Sequence, residues 1–110
     1  AAIQENLEIL KASRDAKGRA FEVIEVPQPP AAWNEATGTR LGLSHLNFYL
    51  ANGGLILPDF GNPESDAAAQ GLFRELFKDL EIVPVPSRAL LYAGGNIHCI
   101  TQQEPVTGPA

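Results

Sequence analysis

Residues 94–105 read GGNIHCITQQEP and hold the only cysteine of the chain, Cys99, next to His98. A thiolate is a strong nucleophile and a thiol is not. An imidazole within hydrogen-bond reach can take the thiol proton, so a His-Cys neighbour pair suggests covalent catalysis. The stretch NIHCIT (96–101) reads as a strand, however, and strand side chains alternate between faces. Ile97 and Cys99 would share one face, with Asn96, His98 and Ile100 on the other. That turns His98 away from the sulfur. No pattern ties the second histidine, His45, to Cys99. Gly94-Gly95 reads either as a turn before a strand or as backbone that a ligand approaches closely. One cysteine and two histidines cannot build a zinc site of the usual kind. There is no phosphate loop with its lysine and no Gly-x-Ser-x-Gly. On residue pattern alone Cys99 is either a small inert apolar residue or a reactive thiol, and the function stays open.

The elements that must position Cys99 follow from periodicity and punctuation. Ile3, Leu7 and Leu10 recur at i, i+4 and i+7, which predicts a helix from about residue 2 to 14. Gly18 would close it in a left-handed cap, with Lys17 facing the helix C-terminus. AFEVIEV (20–26) reads as a strand ended by Pro27, Pro29 and Pro30. Residues 27–43 form a long connection, read as a surface excursion pinned by Trp33. SHLNFYL (44–50) and LILP (55–58) read as a hairpin joined at Asn52-Gly53, where both turn positions tolerate positive φ. Asn62-Pro63-Glu64 opens a helix running to about Lys78, with Leu72, Phe73, Leu76 and Phe77 as its buried face. EIVPVP (81–86) is a strand that Pro84 and Pro86 make irregular or an edge. ALLY (89–92) leads into Gly94-Gly95 and the last strand. The class is α/β, with the order hairpin, helix, strand, connection, strand. The final TGPA reads as a frayed tail.

The chain has 110 residues, enough for one domain or part of one. Apolar residues make up 45% and charged residues 19%, which predicts a globular fold. The formal charge of −5 argues against a nucleic-acid surface. No run approaches the roughly 18 apolar residues of a membrane span. A single cysteine allows no internal disulfide, which suits a reducing cytoplasm. The chain lacks Met even at position 1 and opens directly in a helical pattern. Both features predict a piece of a longer protein.

The stretch from Gly94 to Gln103 closely resembles the C-terminal signature of agmatine deiminases, within the bacterial and plant-type peptidylarginine deiminase family. LNFYLANGGLILPDFGNPESDAAA (46–69), Pro86-Ser87-Arg88 and DAKGRAFEV (15–23) extend the resemblance. It implies a pentein fold, an α/β-propeller of five ββαβ-type units. Residues 44–105 would be one complete unit and 1–26 the tail of the preceding one. Residues 27–43 would connect the two, and 106–110 form a tail. The resemblance further implies that Cys99 is the nucleophile and that Gly94 and Gly95 line the pocket with backbone. The substrate would be a small guanidine, agmatine, converted to N-carbamoylputrescine and ammonia without metal or organic cofactor. No nucleic-acid or membrane partner is implied, and a homo-oligomer is compatible. The family's acid/base histidine and guanidinium-binding carboxylates belong to segments upstream of these residues, so neither role is carried over to His98 or to an acid here. Asn47 and Asn96 match as structural residues, and Gln102 and Gln103 match without a chemical role. The 110 residues alone are expected to be inactive and to self-associate through exposed strand edges and apolar faces. The alternatives are a peptidylarginine deiminase, an amidinotransferase, or a non-catalytic structural module.

Overall fold

The structure is a computed structural model, and it describes residues 1–108. The last two residues of the TGPA tail lie outside the described residues. Helix α1 (Ala2–Ala12) is followed by a long irregular stretch. Then come β1 (Tyr49–Ala51), β2 (Gly54–Asp59), α2 (Pro63–Leu76) and β3 (Glu81–Pro86). Two 3₁₀ helices, Arg88–Ala93 and His98–Ile100, complete the order. The sheet is mixed: β1 pairs antiparallel with β2, and β2 pairs parallel with β3.

The β2–α2–β3 part follows local signals. Asn62 caps α2 with its side chain, accepting the Ser65 N–H at 2.9 Å, and Pro63 takes the first helical position. Leu55 and Leu57 on β2 meet Ala69 and Phe73 on α2 and Ile82 on β3 in the main core. Phe48 packs edge-on against Phe73, with ring centroids 5.0 Å apart. The buried stripe of α2 is Asp66, Ala69 and Phe73, with Phe77 packed beside the core. Leu76 lies outside that stripe and is exposed. β3 is an outer strand, as its prolines predict.

Other expectations fail for want of a partner. No strand forms over 20–26; a single bridge, Arg14 to Ala20, is all that pairs there, and Phe21 and Ile24 stay exposed. A strand is stabilised by cross-strand pairs, and this segment meets none among the described residues. α1 ends earlier than expected, at Ser13, whose hydroxyl donates to the Ile9 carbonyl at 2.7 Å. Gly18 belongs instead to a separate turn in which Asp15 accepts from the Lys17 and Arg19 amides. In the hairpin turn Gly53 takes positive φ (79°), but Asn52 does not. Trp33 is 54% exposed and does not pin the 27–43 connection. Leu41 and Leu43 do, by packing with Phe60 and Leu91 in a second cluster.

The segment read as a strand over 44–50 begins as a turn. His45 is buried beneath it, and its Nε2 donates to Asp66 Oδ1 at 3.0 Å. The same carboxylate oxygen accepts the Phe60 N–H at 3.1 Å. Burial pushes the Asp66 carboxyl up, but the Phe60 amide and His45 outweigh it and hold it below its ordinary value. Its unfolded form therefore binds a proton more readily. The stabilisation is present above about pH 4 and is lost as pH falls through the folded value. Asp66→Asn is expected to cost about 2 kcal/mol in urea unfolding at pH 7. The gap from the unaltered protein should narrow at pH 3; an equal gap at both pH values would refute this account.

Candidate active site

Cys99 is free and exposed. It does not lie on a strand. His98–Ile100 forms one 3₁₀ turn, closed by Ile100 N–H to the Ile97 carbonyl (3.2 Å) and Thr101 N–H to the His98 carbonyl (3.1 Å). The Thr101 hydroxyl also donates to the His98 carbonyl at 2.7 Å. Ahead of the turn, buried Asn96 accepts the Ile97 N–H on its own side chain at 2.9 Å and donates to the Ser87 carbonyl at 3.3 Å. A side chain that bonds its neighbour's backbone competes with an extended ladder. The predicted alternation of faces over 96–101 therefore does not apply. His98 and Cys99 border the same shallow hollow of about 280 Å³, with Ser44, Leu46 and Asn47. Among the described residues the His98 ring makes no hydrogen bond to the sulfur.

Asn47 is the residue that sequence reasoning missed as a neighbour of Cys99. It lies 52 positions earlier, yet its Nδ2 is 3.2 Å from the Cys99 sulfur. Its Oδ1 accepts the Cys99 N–H at 3.3 Å, and its backbone carbonyl accepts the His98 N–H at 3.2 Å. The register explains why that carbonyl is free. Tyr49 pairs with Ile56 and Ala51 with Gly54, and that register continued two residues back would set Asn47 opposite Pro58. Proline has no N–H to give. The ladder stops at Tyr49, and Asn47 turns its carbonyl to the 3₁₀ turn instead. The only sequence trace was a polar residue between Leu46 and Phe48 and a proline inside a strand.

The two glycines serve different needs. Gly94 closes the Arg88–Ala93 helix in the left-handed region, with φ 92°. Gly95 is a close approach: a Cβ built there would lie 2.9 Å from Cys99 Cβ and 3.1 Å from its sulfur. Neither glycine borders the hollow itself. The Asn96 backbone amide, then the Asn47 side-chain amide, hold the thiol below its ordinary value, against a smaller effect of burial. N–H groups aimed at sulfur favour the thiolate. Gln102 and Gln103 are exposed and make no hydrogen bond to Cys99. Among the described residues no group of three His, Cys, Asp or Glu side chains could hold a metal ion. No helix among them is long and apolar enough to cross a membrane.

A thiol presented in this way occurs in a chain with clear relatives. The agmatine deiminase of Pseudomonas fluorescens is 42% identical over 118 residues, covering 93% of this chain and 32% of that protein. A Legionella pneumophila protein is 48% identical over 103 residues, covering 94% of this chain and 29% of its own length. The solved agmatine deiminase of Enterococcus faecalis superposes with a TM-score of 0.87 at 32% identity, over 94% of this chain and 32% of that one. The chain thus spans about a third of the length of the relatives it matches. The α/β arrangement is that of these deiminase structures. The family model for Porphyromonas-type peptidyl-arginine deiminase matches residues 1–105, and the chain belongs to that family.

Proposed function

We propose that the whole protein hydrolyses the guanidinium of agmatine to N-carbamoylputrescine and ammonia, with Cys99 as nucleophile. The observation that carries this reading is the exposed Cys99 sulfur, approached by N–H groups, at the edge of an open hollow. A guanidinium is resonance-stabilised and stays protonated near pH 7. Its carbon yields only to a strong nucleophile held in line with it, and a thiolate qualifies. The thiolate adds to that carbon, giving a tetrahedral adduct. A general acid protonates the departing amine, the C–N bond breaks, and ammonia leaves. The S-alkylthiouronium that remains is attacked by water, which gives up a proton to the same group acting as base. Collapse breaks the C–S bond and releases the ureido product and the thiolate.

The acid/base and the carboxylates that grip the cation belong, in this reading, to the other two thirds of the protein. His45 is committed to Asp66, and His98 does not bond the sulfur. The pentein propeller would bring those groups over the hollow. A free thiol nucleophile suits the reducing cytoplasm.

The test is turnover of agmatine, free arginine and a peptidyl-arginine by the full-length protein, read as ureido product. Agmatine is expected to be preferred by at least tenfold in kcat/KM. Preference for the peptide would favour the reading that the family description carries. No product from any of the three would refute hydrolysis. The 110-residue chain by itself is expected to be inactive, since a nucleophile without its acid and cation grip lacks most of the transition-state stabilisation. Ureido product from that chain would show that the missing segments are dispensable.

A further inference from the structure

We infer that Asn47 is a positioning residue for Cys99: its side-chain amide fixes the Cys99 main chain with one end and presents an N–H to the sulfur with the other. The inference rests on Cys99 being the nucleophile.

The amide orientation follows from chemistry. The Cys99 backbone N–H can only donate, so the Asn47 atom facing it at 3.3 Å must be the oxygen. The other end, 3.2 Å from the sulfur, must then be the NH₂ group. Oδ1 is also 3.6 Å from the sulfur, within reach of the neutral thiol as donor. The same side chain thus meets both protonation states. It accepts from the thiol and donates to the thiolate. When the thiol ionises, the S–H to Oδ1 contact is lost and the N–H to sulfur contact becomes charge-assisted, which is the stronger kind.

Asn47 also grips the turn through its main chain, where its carbonyl takes the His98 N–H. Three of its atoms therefore reach two consecutive residues of one 3₁₀ turn. The link is transmitted from the sheet. β1 begins two residues later, and Phe48 between them is packed on Phe73 in the core. The sulfur is referenced to the rigid hairpin rather than to its own exposed turn. Gly95, four residues earlier, comes so close to Cys99 that a Cβ there would meet its Cβ and sulfur.

A structural role and an electrostatic one make different predictions for Asn47→Asp. Aspartate keeps an oxygen for the Cys99 N–H and keeps the backbone carbonyl, so the turn survives. It replaces the N–H at the sulfur with a carboxylate oxygen, and a like charge beside a thiolate disfavours it. The experiment is the pH dependence of iodoacetamide alkylation of Cys99 in the full-length protein, followed by mass spectrometry of the peptide that carries it. Asn47→Asp is expected to move the alkylation profile up by about one pH unit, a tenfold lower rate at pH 7. Asn47→Ala, which loses the donor without adding charge, should move it up by less. Profiles that superimpose on the unaltered protein would overturn the inference. If the aspartate variant does not fold, the alanine variant decides by the same comparison. Alkylation needs no substrate, so a shifted profile with no turnover of any guanidine would refute the proposed hydrolysis while showing that Asn47 still sets the state of the thiol.

Discussion

Replacing Cys99 with serine is expected to lower kcat for guanidine hydrolysis in the full-length protein by about four orders of magnitude or more. The change is small in shape and large in chemistry. A serine hydroxyl stays protonated near neutral pH, so the donors at this position have no anion to favour. The Asn96 amide and Asn47 Nδ2 lower the thiol's proton affinity. No such arrangement brings an alcohol into range without a base in contact with it. The position is exposed, so the serine variant should fold, and its urea midpoint should match the unaltered protein. Mass spectrometry supplies a second reading. The unaltered protein, quenched during turnover, should carry the mass of agmatine less ammonia, an N-substituted amidino group, on the peptide containing Cys99, and the serine variant should not. A serine variant within tenfold of full activity would remove Cys99 from the reaction.

Gly95→Ala is expected to reduce kcat/KM by about a hundredfold with little loss of stability, the fall lying mainly in kcat. The added methyl would sit 2.9 Å from Cys99 Cβ and 3.1 Å from the sulfur, and real carbons do not approach so closely. The 3₁₀ turn has no buried residue whereas Asn96 next to Gly95 is buried, so Cys99 is the group expected to yield. Movement of the sulfur breaks its contact with Asn47 and misaligns it with a bound guanidinium. Gly94→Ala is the control. Nothing lies within 4 Å of a Cβ there, but φ is 92°, so the cost is strain of about 1–2 kcal/mol in stability. Stopped assays and urea titrations on both variants separate the cases. Equal kinetics in the two would show that close approach at Gly95 does not matter to the reaction.

What could be read from the sequence was what depends on neighbouring residues. The Asn62-Pro63 helix start, the Leu55–Leu57 strand and the 81–86 strand each carry their own signal within a few positions, and each forms. The strand readings at 20–26 and 96–101 also rested on local pattern, but a strand needs a partner that pattern does not name. At 96–101 the side chain of Asn96 and the hydroxyl of Thr101 closed the backbone on itself instead. The buried face of α2 was misread at both ends: Asp66, a charge, takes an inward position where the Phe60 amide and His45 meet its carboxylate, and Leu76, the last residue of the helix, is exposed. Cys99 stood out as the only thiol, but whether it would be buried or exposed did not. Asn47 was beyond reach, because its contact with Cys99 spans 52 positions and depends on where a ladder ends.

The two prolines of β3 have a consequence for the sheet as a whole. Glu81 donates its N–H to the Gly53 carbonyl and Ser87 to that of Asp59, so the odd-numbered amides of this strand turn toward β2. The even-numbered positions turn outward, and two of the three, Pro84 and Pro86, have no hydrogen to offer. The outer rim of β3 is therefore nearly donor-free, with Ile82 holding the one remaining N–H. A further strand laid there would find carbonyls but almost nothing to give it a hydrogen bond. On β1 the Asn52-Gly53 turn makes Ala51–Gly54 and Tyr49–Ile56 the hydrogen-bonded pairs, so Leu50 alone turns its N–H and carbonyl outward. Each rim thus offers a single outward N–H, so the sheet as it stands is a poor template for a further strand on either side.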